Sequence, residues 1–258
     1  MSGDLAQRLA EARLTGTAFD ADTIEAPADI AAAYAIQAEV TALLELPRAG
    51  WKLGATNETS QKALGVGRPF IGPLLSRWCH SLGDTVAAPA PFEPGVEAEI
   101  VFQLNRGLPP REAPYSEDDV AAAVESVSGG IEIAGSRFAG GMGRGEPLLL
   151  IADGAANVAF VSGAPEFGWQ RLDIGEIELV LSVNGVEAGR GPGRNALGHP
   201  MRALAWLANE LSARGIGLAA GESITTGTCT GFQRVDTGDT VTATFGPLGG
   251  IEINIASG

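Results

Sequence analysis

The sequence predicts one α+β domain over residues 1–258, helical over about residues 1–50 and β-rich over about 51–258. Three observations carry this. Apolar residues near the N-terminus recur at helical spacing: Leu5, Leu9 and Ala12, then Ile30, Tyr34, Ile36, Val40, Leu43 and Leu44. From Val86 onward the period shortens to two, most clearly in Ile251-Glu252-Ile253-Asn254-Ile255. No repeat, low-complexity tract or linker divides the chain.

Taken in order, helices are expected over about residues 4–15 and 28–45, the second started by Asp29 behind Pro27 and ended near Pro47. Gly50 to Thr56 reads as a short strand, Gln61 to Leu64 as a helical turn stopped by Gly65, and Pro69 to Pro73 as a turn-rich connection. Val96 to Leu104 reads as a strand. Ser116 and Asp119 have capping-box spacing before Val120, Ala123, Val124 and Val127, which predicts a helix running to Gly129-Gly130. Ile131 to Ala134 follows as a strand, and Gly140 to Gly145 as a flexible loop, a candidate lid. Asn184-Gly185 between two β-patterned runs spells a hairpin with a type I′ turn. Pro200 opens a helix carrying Met201, Leu204, Leu207 and Leu211, closed by Gly215, before strands at Ser223–Thr226, 241–245 and 251–255.

Composition narrows the function. With 17 basic and 31 acidic residues the net charge is −14 and the isoelectric point about 4.5, which argues against nucleic acid or an anionic membrane as partner. An anionic substrate would need a local cation, which a bound metal supplies. The N-terminus lacks the features of a signal peptide and no apolar run approaches a membrane span, so a cytoplasmic protein is expected. Cys79 and Cys229 are too few for a disulfide framework and read as small apolar residues.

The chemistry-bearing stretch is Gly95-Val96-Glu97-Ala98-Glu99-Ile100-Val101-Phe102. In a strand, Glu97 and Glu99 share one face while Val96, Ala98 and Ile100 take the other. Neighbouring carboxylates repel, and a divalent cation relieves them. Glu132, from the separate strand Gly130-Ile131-Glu132-Ile133, would complete an oxygen-only set suited to Mg²⁺ or Mn²⁺ rather than Zn²⁺ or copper. The competing reading is a solvated strand face. Lys52 likewise reads first as a surface lysine whose stem snorkels, since an unpaired ammonium is costly in a core. Other chemistries fit less well. Gly221-Glu222-Ser223-Ile224-Thr225 breaks the nucleophile-elbow pattern at its last position, His199 before Pro200 reads as a helix cap, and His80 has no partner nearby in sequence. The Gly140–Gly145 loop lacks the setting of a phosphate loop.

Several motifs together resemble one family. Gly50-Trp51-Lys52-Leu53-Gly54-Ala55-Thr56, Gln61 through Leu64-Gly65-Val66, Gly72-Pro73-Leu74, the Glu97/Glu99 strand and Ile131-Glu132-Ile133 with Ser136-Arg137 are similar, in order, to the 2-oxopent-4-enoate hydratase and 4-oxalocrotonate decarboxylase group of the fumarylacetoacetate hydrolase superfamily. So are Ala152-Asp153 with Ala156-Asn157, Leu197-Gly198-His199-Pro200 and Ala220 through Gly227. The resemblance implies a β-sandwich roll with an N-terminal helical portion, Mg²⁺ or Mn²⁺ on Glu97, Glu99 and Glu132, a small 2-oxo acid substrate and a homo-oligomer. It places Lys52 at the site, with Asp153 as a second catalytic group and Thr228 and Arg137 as substrate contacts. The implied reaction is hydration of a 2-hydroxydienoate through its 2-oxo-enoate tautomer. Metal-dependent decarboxylation, acylpyruvate-type carbon–carbon hydrolysis and a metal-free binding module are the alternatives. Two positions depart from the group. Phe70 stands where many of its hydratases carry an aspartate, and Gly135 where they carry another. If water is added, Glu58 or Asp153 is expected to place it.

Overall fold

Two amphipathic helices, α1 (Ser2–Thr15) and α2 (Ile30–Leu44), open the chain where the helical spacing predicts them. Asp29 caps α2, its carboxylate accepting from Ala32 N at 2.8 Å. Their apolar faces meet: Leu5, Leu9, Ile36, Val40 and Leu44 are buried together with Leu75, Phe138 and Leu149. The structure, a computed structural model, describes residues 2–142 and 147–258. Gly143, Arg144 and Gly145 of the loop expected to act as a lid therefore lie outside the described residues.

Among the described residues the remaining chain builds two sheets. The larger is ordered β2 (Phe70–Leu75), β1 (Arg48–Gly54), β10 (Ser223–Thr225), β5 (Gly95–Leu104), β6 (Val124–Ala134), β7 (Asn157–Ser162), β3 (Cys79–His80), with β11 (Gln233–Arg234) also pairing β5. The smaller runs β4 (Thr85–Ala87), β13 (Gly250–Ala256), β12 (Thr240–Thr244), β8 (Glu178–Val183), β9 (Val186–Pro192). The sheets stack through β5 on β8 and β6 on β13. Val96, Ala98, Ile100 and Phe102 from one meet Leu179, Leu181, Val241, Ala243 and Ile253 from the other. Fully burying each of the larger side chains here, the valines, leucines, isoleucines and Phe102, is worth about 1.5–3 kcal/mol, so this layer contributes heavily to the stability of the fold.

The connecting elements follow local chemistry. Asn184 (φ 51°) and Gly185 (φ 78°) make the left-handed pair that a type I′ hairpin needs between β8 and β9. α3 (Glu58–Leu64) stops at Gly65, and α6 (Pro200–Ser212) starts at His199, whose Nδ1 accepts from Met201 N at 3.1 Å. The ring caps the helix, as expected.

Two expectations on local structure are corrected. The stretch Pro69–Pro73 is mostly strand: Phe70 to Pro73 belong to β2, antiparallel to β1. The helix opened by Ser116 is short. α4 spans Glu117–Ala121 with both halves of its capping box in place, and β6 begins at Val124. Continuing the helix to Gly130 would leave the backbone of β5 unpaired along an edge that β6 covers from Val124 to Ala134.

Alternation along β5 sends Glu97, Glu99 and Val101 to the face of the large sheet turned away from the sandwich. That face is covered rather than solvated. α2, α5 (Pro147–Ala152) and the turn at Gly154–Ala156 lie over it, and Gln37 of α2 ties them by donating to Ile71 O at 3.0 Å and Ile151 O at 2.6 Å. Among the described residues no helix is long and apolar enough to cross a membrane.

Candidate metal centre

The covered face of the large sheet collects the acids. Glu97 and Glu132 sit directly opposite one another on β5 and β6, and Glu99 lies two residues along β5. One carboxylate oxygen from each falls within 4.8 Å of the others. Glu99 and Glu132 are fully buried and Glu97 is half-buried. A solvated strand face is thereby excluded. Lys52 projects from β1 onto the same face and is also buried, at 3% exposure, which corrects the surface reading of this lysine. The local pattern missed it because the cover comes from elements far away in sequence.

Each of these side chains is held. Lys52 Nζ lies 3.1 Å from Glu132 Oε2 and donates to Ala155 O at 3.0 Å. Glu132 Oε1 accepts from Asn157 Nδ2 at 3.0 Å. Glu99 Oε2 accepts from Gly227 N at 2.6 Å. Gly227 sits at φ 94°, and a Cβ there would come within 2.1 Å of Thr56 Oγ1, so only glycine lets this N–H reach the carboxylate. On the other side, Gly154, Ala155 and Ala156 all adopt left-handed backbone (φ 62°, 57° and 63°). Two of them are alanines, and this costly conformation is what turns the Ala155 carbonyl toward Lys52.

The electrostatics are those of an unbalanced cluster. Burial pushes the Glu97 carboxyl up to about 7, with the neighbouring Glu132 charge adding to the effect and Lys52 opposing it. Burial, then Glu132 and Glu97, raise Glu99 well above the usual carboxylate range. Burial alone would depress Lys52, but the charges of Glu132, Glu97 and Glu99 outweigh it and the ammonium is held above its ordinary pKa. With all four groups ionised, two negative charges stay uncompensated, which a divalent cation neutralises. Glu99 Oε1 is buried without a hydrogen-bond partner, and Glu132 Oε2 faces the Lys52 ammonium at 3.1 Å. An orphaned oxygen such as Glu99 Oε1 is costly in a protein interior and satisfied by a hard cation. The donor set fits Mg²⁺ or Mn²⁺.

The cluster opens on a cavity lined by Glu97, Lys52, Thr228 and Ser60, with Leu53, Leu64, Phe70 and Leu150 as its apolar wall. Thr228 Oγ1 is buried and unpartnered. Lys52, Glu97, Glu99, Glu132 and Thr228 are thus brought together as the sequence suggests.

Asp153 and Arg137 are placed elsewhere. Neither lines the cavity. Asp153 accepts from Arg137 Nε and, at 3.0 Å, from Arg137 N, so both of its oxygens are engaged. The Arg137 guanidinium, wholly buried, also donates to Asn157 O at 2.8 Å and to Asp153 O. Glu58 carries a side chain 90% exposed beside Lys62. Neither carboxylate expected to place water faces the cavity. Residues the sequence reading left without a role are Asn157, which orients Glu132, and the backbone groups of Gly227 and Ala155. A backbone donor or acceptor carries no side-chain signature, and Asn157 is 25 residues from the acid it serves.

Comparison with known proteins agrees with this geometry. A model of the fumarylacetoacetate (FAA) hydrolase C-terminal family matches residues 80–256. The 2-keto-4-pentenoate hydratase of Paraburkholderia xenovorans (strain LB400) is 32% identical over 87% of this chain and 83% of its own. A 4-oxalocrotonate decarboxylase of Pseudomonas putida is 30% identical over 78% of this chain and 75% of its own. The solved 4-oxalocrotonate decarboxylase from Pseudomonas putida G7, complexed with magnesium and adipate, superposes with a TM-score of 0.89 at 27% identity, covering 98% of this chain and 97% of that one. With the acid cluster on the covered face of a two-sheet core, these matches establish that the chain belongs to the fumarylacetoacetate hydrolase C-terminal family.

Proposed function

We propose that this protein is a divalent-metal-dependent lyase that adds water to a 2-hydroxydienoate acid through its 2-oxo-3-enoate tautomer. The observation that carries the reading is the set of half-buried Glu97 and buried Glu99 and Glu132 opening, beside buried Lys52, on a cavity. Relatives named as hydratases support the reaction class. The three glutamates would hold Mg²⁺ or Mn²⁺, which when bound supplies a Lewis acid and a template for the carboxylate and 2-oxo oxygen of the substrate.

The remaining work falls to the chain's own groups. Lys52, an ammonium at neutral pH, holds a proton at Nζ and delivers it during tautomerisation, or anchors the substrate carboxylate. Thr228 Oγ1, buried and unpartnered, binds a substrate oxygen. The hydroxyls of Thr228 and Ser60 are the neutral polar groups that place water, since Glu58 and Asp153 face elsewhere. Arg137 and Asp153 act at one remove, bracing the end of β6 behind Glu132.

Decarboxylation is the second reading, favoured by the apolar wall of Leu53, Leu64, Phe70 and Leu150. Such a wall suits an enolate intermediate, because excluding water protects it. Incubation with 2-hydroxypenta-2,4-dienoate and with 4-oxalocrotonate, each with Mg²⁺ or with a chelator, separates the two by product mass. Hydration predicts gain of one water from the dienoate, abolished by chelator. Release of CO₂ without a hydrated product would replace hydration by decarboxylation, and no metal-dependent turnover of either acid would overturn the lyase assignment.

We also infer a cytoplasmic homo-oligomer. Free thiols at Cys79 and Cys229 suit a reducing compartment, and Phe167 and Val186, exposed by 62% and 70%, suit burial against a second copy.

A further inference from the structure

We propose that Arg13, on the last turn of α1, is a positioning residue for the metal ligand Glu132, acting through the side-chain amide of Asn157. The inference rests on the metal site proposed above and extends it to a helix outside the 80–256 segment that the family model matches.

The geometry is a chain of directed hydrogen bonds. Arg13 is buried, with 8% exposure, and its guanidinium lies 4.1 Å from the ring centroid of Trp78. Arg13 Nη1 donates to Asn157 O at 2.8 Å, and Nη2 donates to Asn157 Oδ1 at 3.0 Å. Asn157 Nδ2 then donates to Glu132 Oε1 at 3.0 Å. A guanidinium offers only donors, whereas an asparagine amide offers a donor at one end and an acceptor at the other. Arg13 therefore admits only one orientation of Asn157, with Oδ1 toward the arginine and Nδ2 toward the glutamate. Flipped, the amide would set a second oxygen against Glu132 Oε1 and its NH₂ against a cation. With Oε1 occupied by the amide, Glu132 is left with Oε2, on the Lys52 side, to offer a metal.

Arg137 Nη1 also donates to Asn157 O, at 2.8 Å, so two buried guanidinium groups converge on one carbonyl. Like charges are not brought together in an interior without compensation, and Asp153 supplies part of it. Asn157 O would satisfy Arg137 alone; what Arg13 adds is the bond to Oδ1. The helical N-terminal portion thus reaches into the site through one side chain, across 144 residues of sequence.

Titration calorimetry with Mn²⁺ on Arg13→Met, Asn157→Ala and the double variant tests this. Methionine keeps the length and the packing on Trp78 while removing every donor. Arg13→Met is expected to weaken Mn²⁺ binding about 10–100-fold, the usual cost of losing an outer hydrogen-bond partner of a ligand. Asn157→Ala should weaken it similarly, and the double variant no further, because the first change acts only through the second residue. Arg13→Lys, which keeps a donor, should restore part of the affinity and serves if Arg13→Met does not fold. Wild-type affinity in a folded Arg13→Met, additive losses in the double variant, or an Arg13→Lys affinity no better than that of Asn157→Ala would overturn the positioning role. A wild-type protein that takes up no Mn²⁺ would overturn the metal assignment itself, and this inference with it.

Discussion

Lys52→Met is expected to lower kcat by about 10²–10⁴-fold, the range typical of losing a positioned proton-transfer group. Methionine fits the buried slot, so the fold should survive, although Glu132 Oε2 loses its cation at 3.1 Å. Metal affinity should move the opposite way. In the metal-free protein the Lys52 ammonium offsets part of the charge of the three glutamates, and a divalent ion entering the cluster works against that ammonium. Removing it leaves more negative charge for the ion to neutralise, so Mn²⁺ should bind at least as tightly while turnover falls. Steady-state kinetics beside calorimetry checks both halves. Unchanged turnover would retire Lys52 from the chemistry, and a collapse of metal affinity in a folded variant would make it a support of the site.

Glu99→Gln should produce effects of opposite sign on binding and on stability. A glutamine can still accept from Gly227 N, but it lacks the charge of the orphaned Oε1 that a cation needs. Mn²⁺ affinity should fall by more than the roughly 10–100-fold attached to outer partners, since a ligand itself is lost. The metal-free fold should become more stable near pH 8, because the substitution removes one member of a repelling, buried set. The pH dependence follows from the direction of the shifts. Glu97, pushed up to about 7, and Glu99, raised well above the usual range, bind protons in the folded chain that they release in the unfolded one. Their contribution favours the folded state at low pH and is lost as pH rises through their folded values, so the metal-free protein should lose stability between about pH 4.5 and 7 or above. Glu99→Gln should flatten that slope, and saturating Mn²⁺ should flatten it in the wild type. Thermal melts across pH with and without metal read both. A metal-free melting curve that climbs over this window would contradict the charge cluster.

How much of this was legible beforehand depends on the range of the interactions. The i,i+2 pair Glu97/Glu99 could be placed on one strand face because alternation is local, and the Asn184-Gly185 turn and the Ser116 cap because their chemistry is contained in four residues. The helix expected to run on from Ser116 failed for the complementary reason. Val120, Ala123, Val124 and Val127 fit a helical stripe, yet the backbone beyond Ala121 is claimed by β5, a partner the window does not contain. Lys52 was misjudged in the same way. Whether its strand face is wet or covered is decided by α2, α5 and the turn at 154–156, and the ion pair that makes its burial tolerable comes from Glu132, 80 residues on. Asp153 and Arg137 were both singled out by motif, but their mutual pairing depends on a turn whose left-handed alanines no propensity would suggest.

The central claim is that Glu97, Glu99 and Glu132 together hold one divalent cation, and anomalous diffraction from crystals soaked in Mn²⁺ tests it most directly. The account predicts a single strong peak between the three side chains, within roughly 2.0–2.6 Å of a carboxylate oxygen from each, as hard cations take oxygen ligands. A peak elsewhere at saturating Mn²⁺, or none at the cluster with all three carboxylates well ordered, would contradict it.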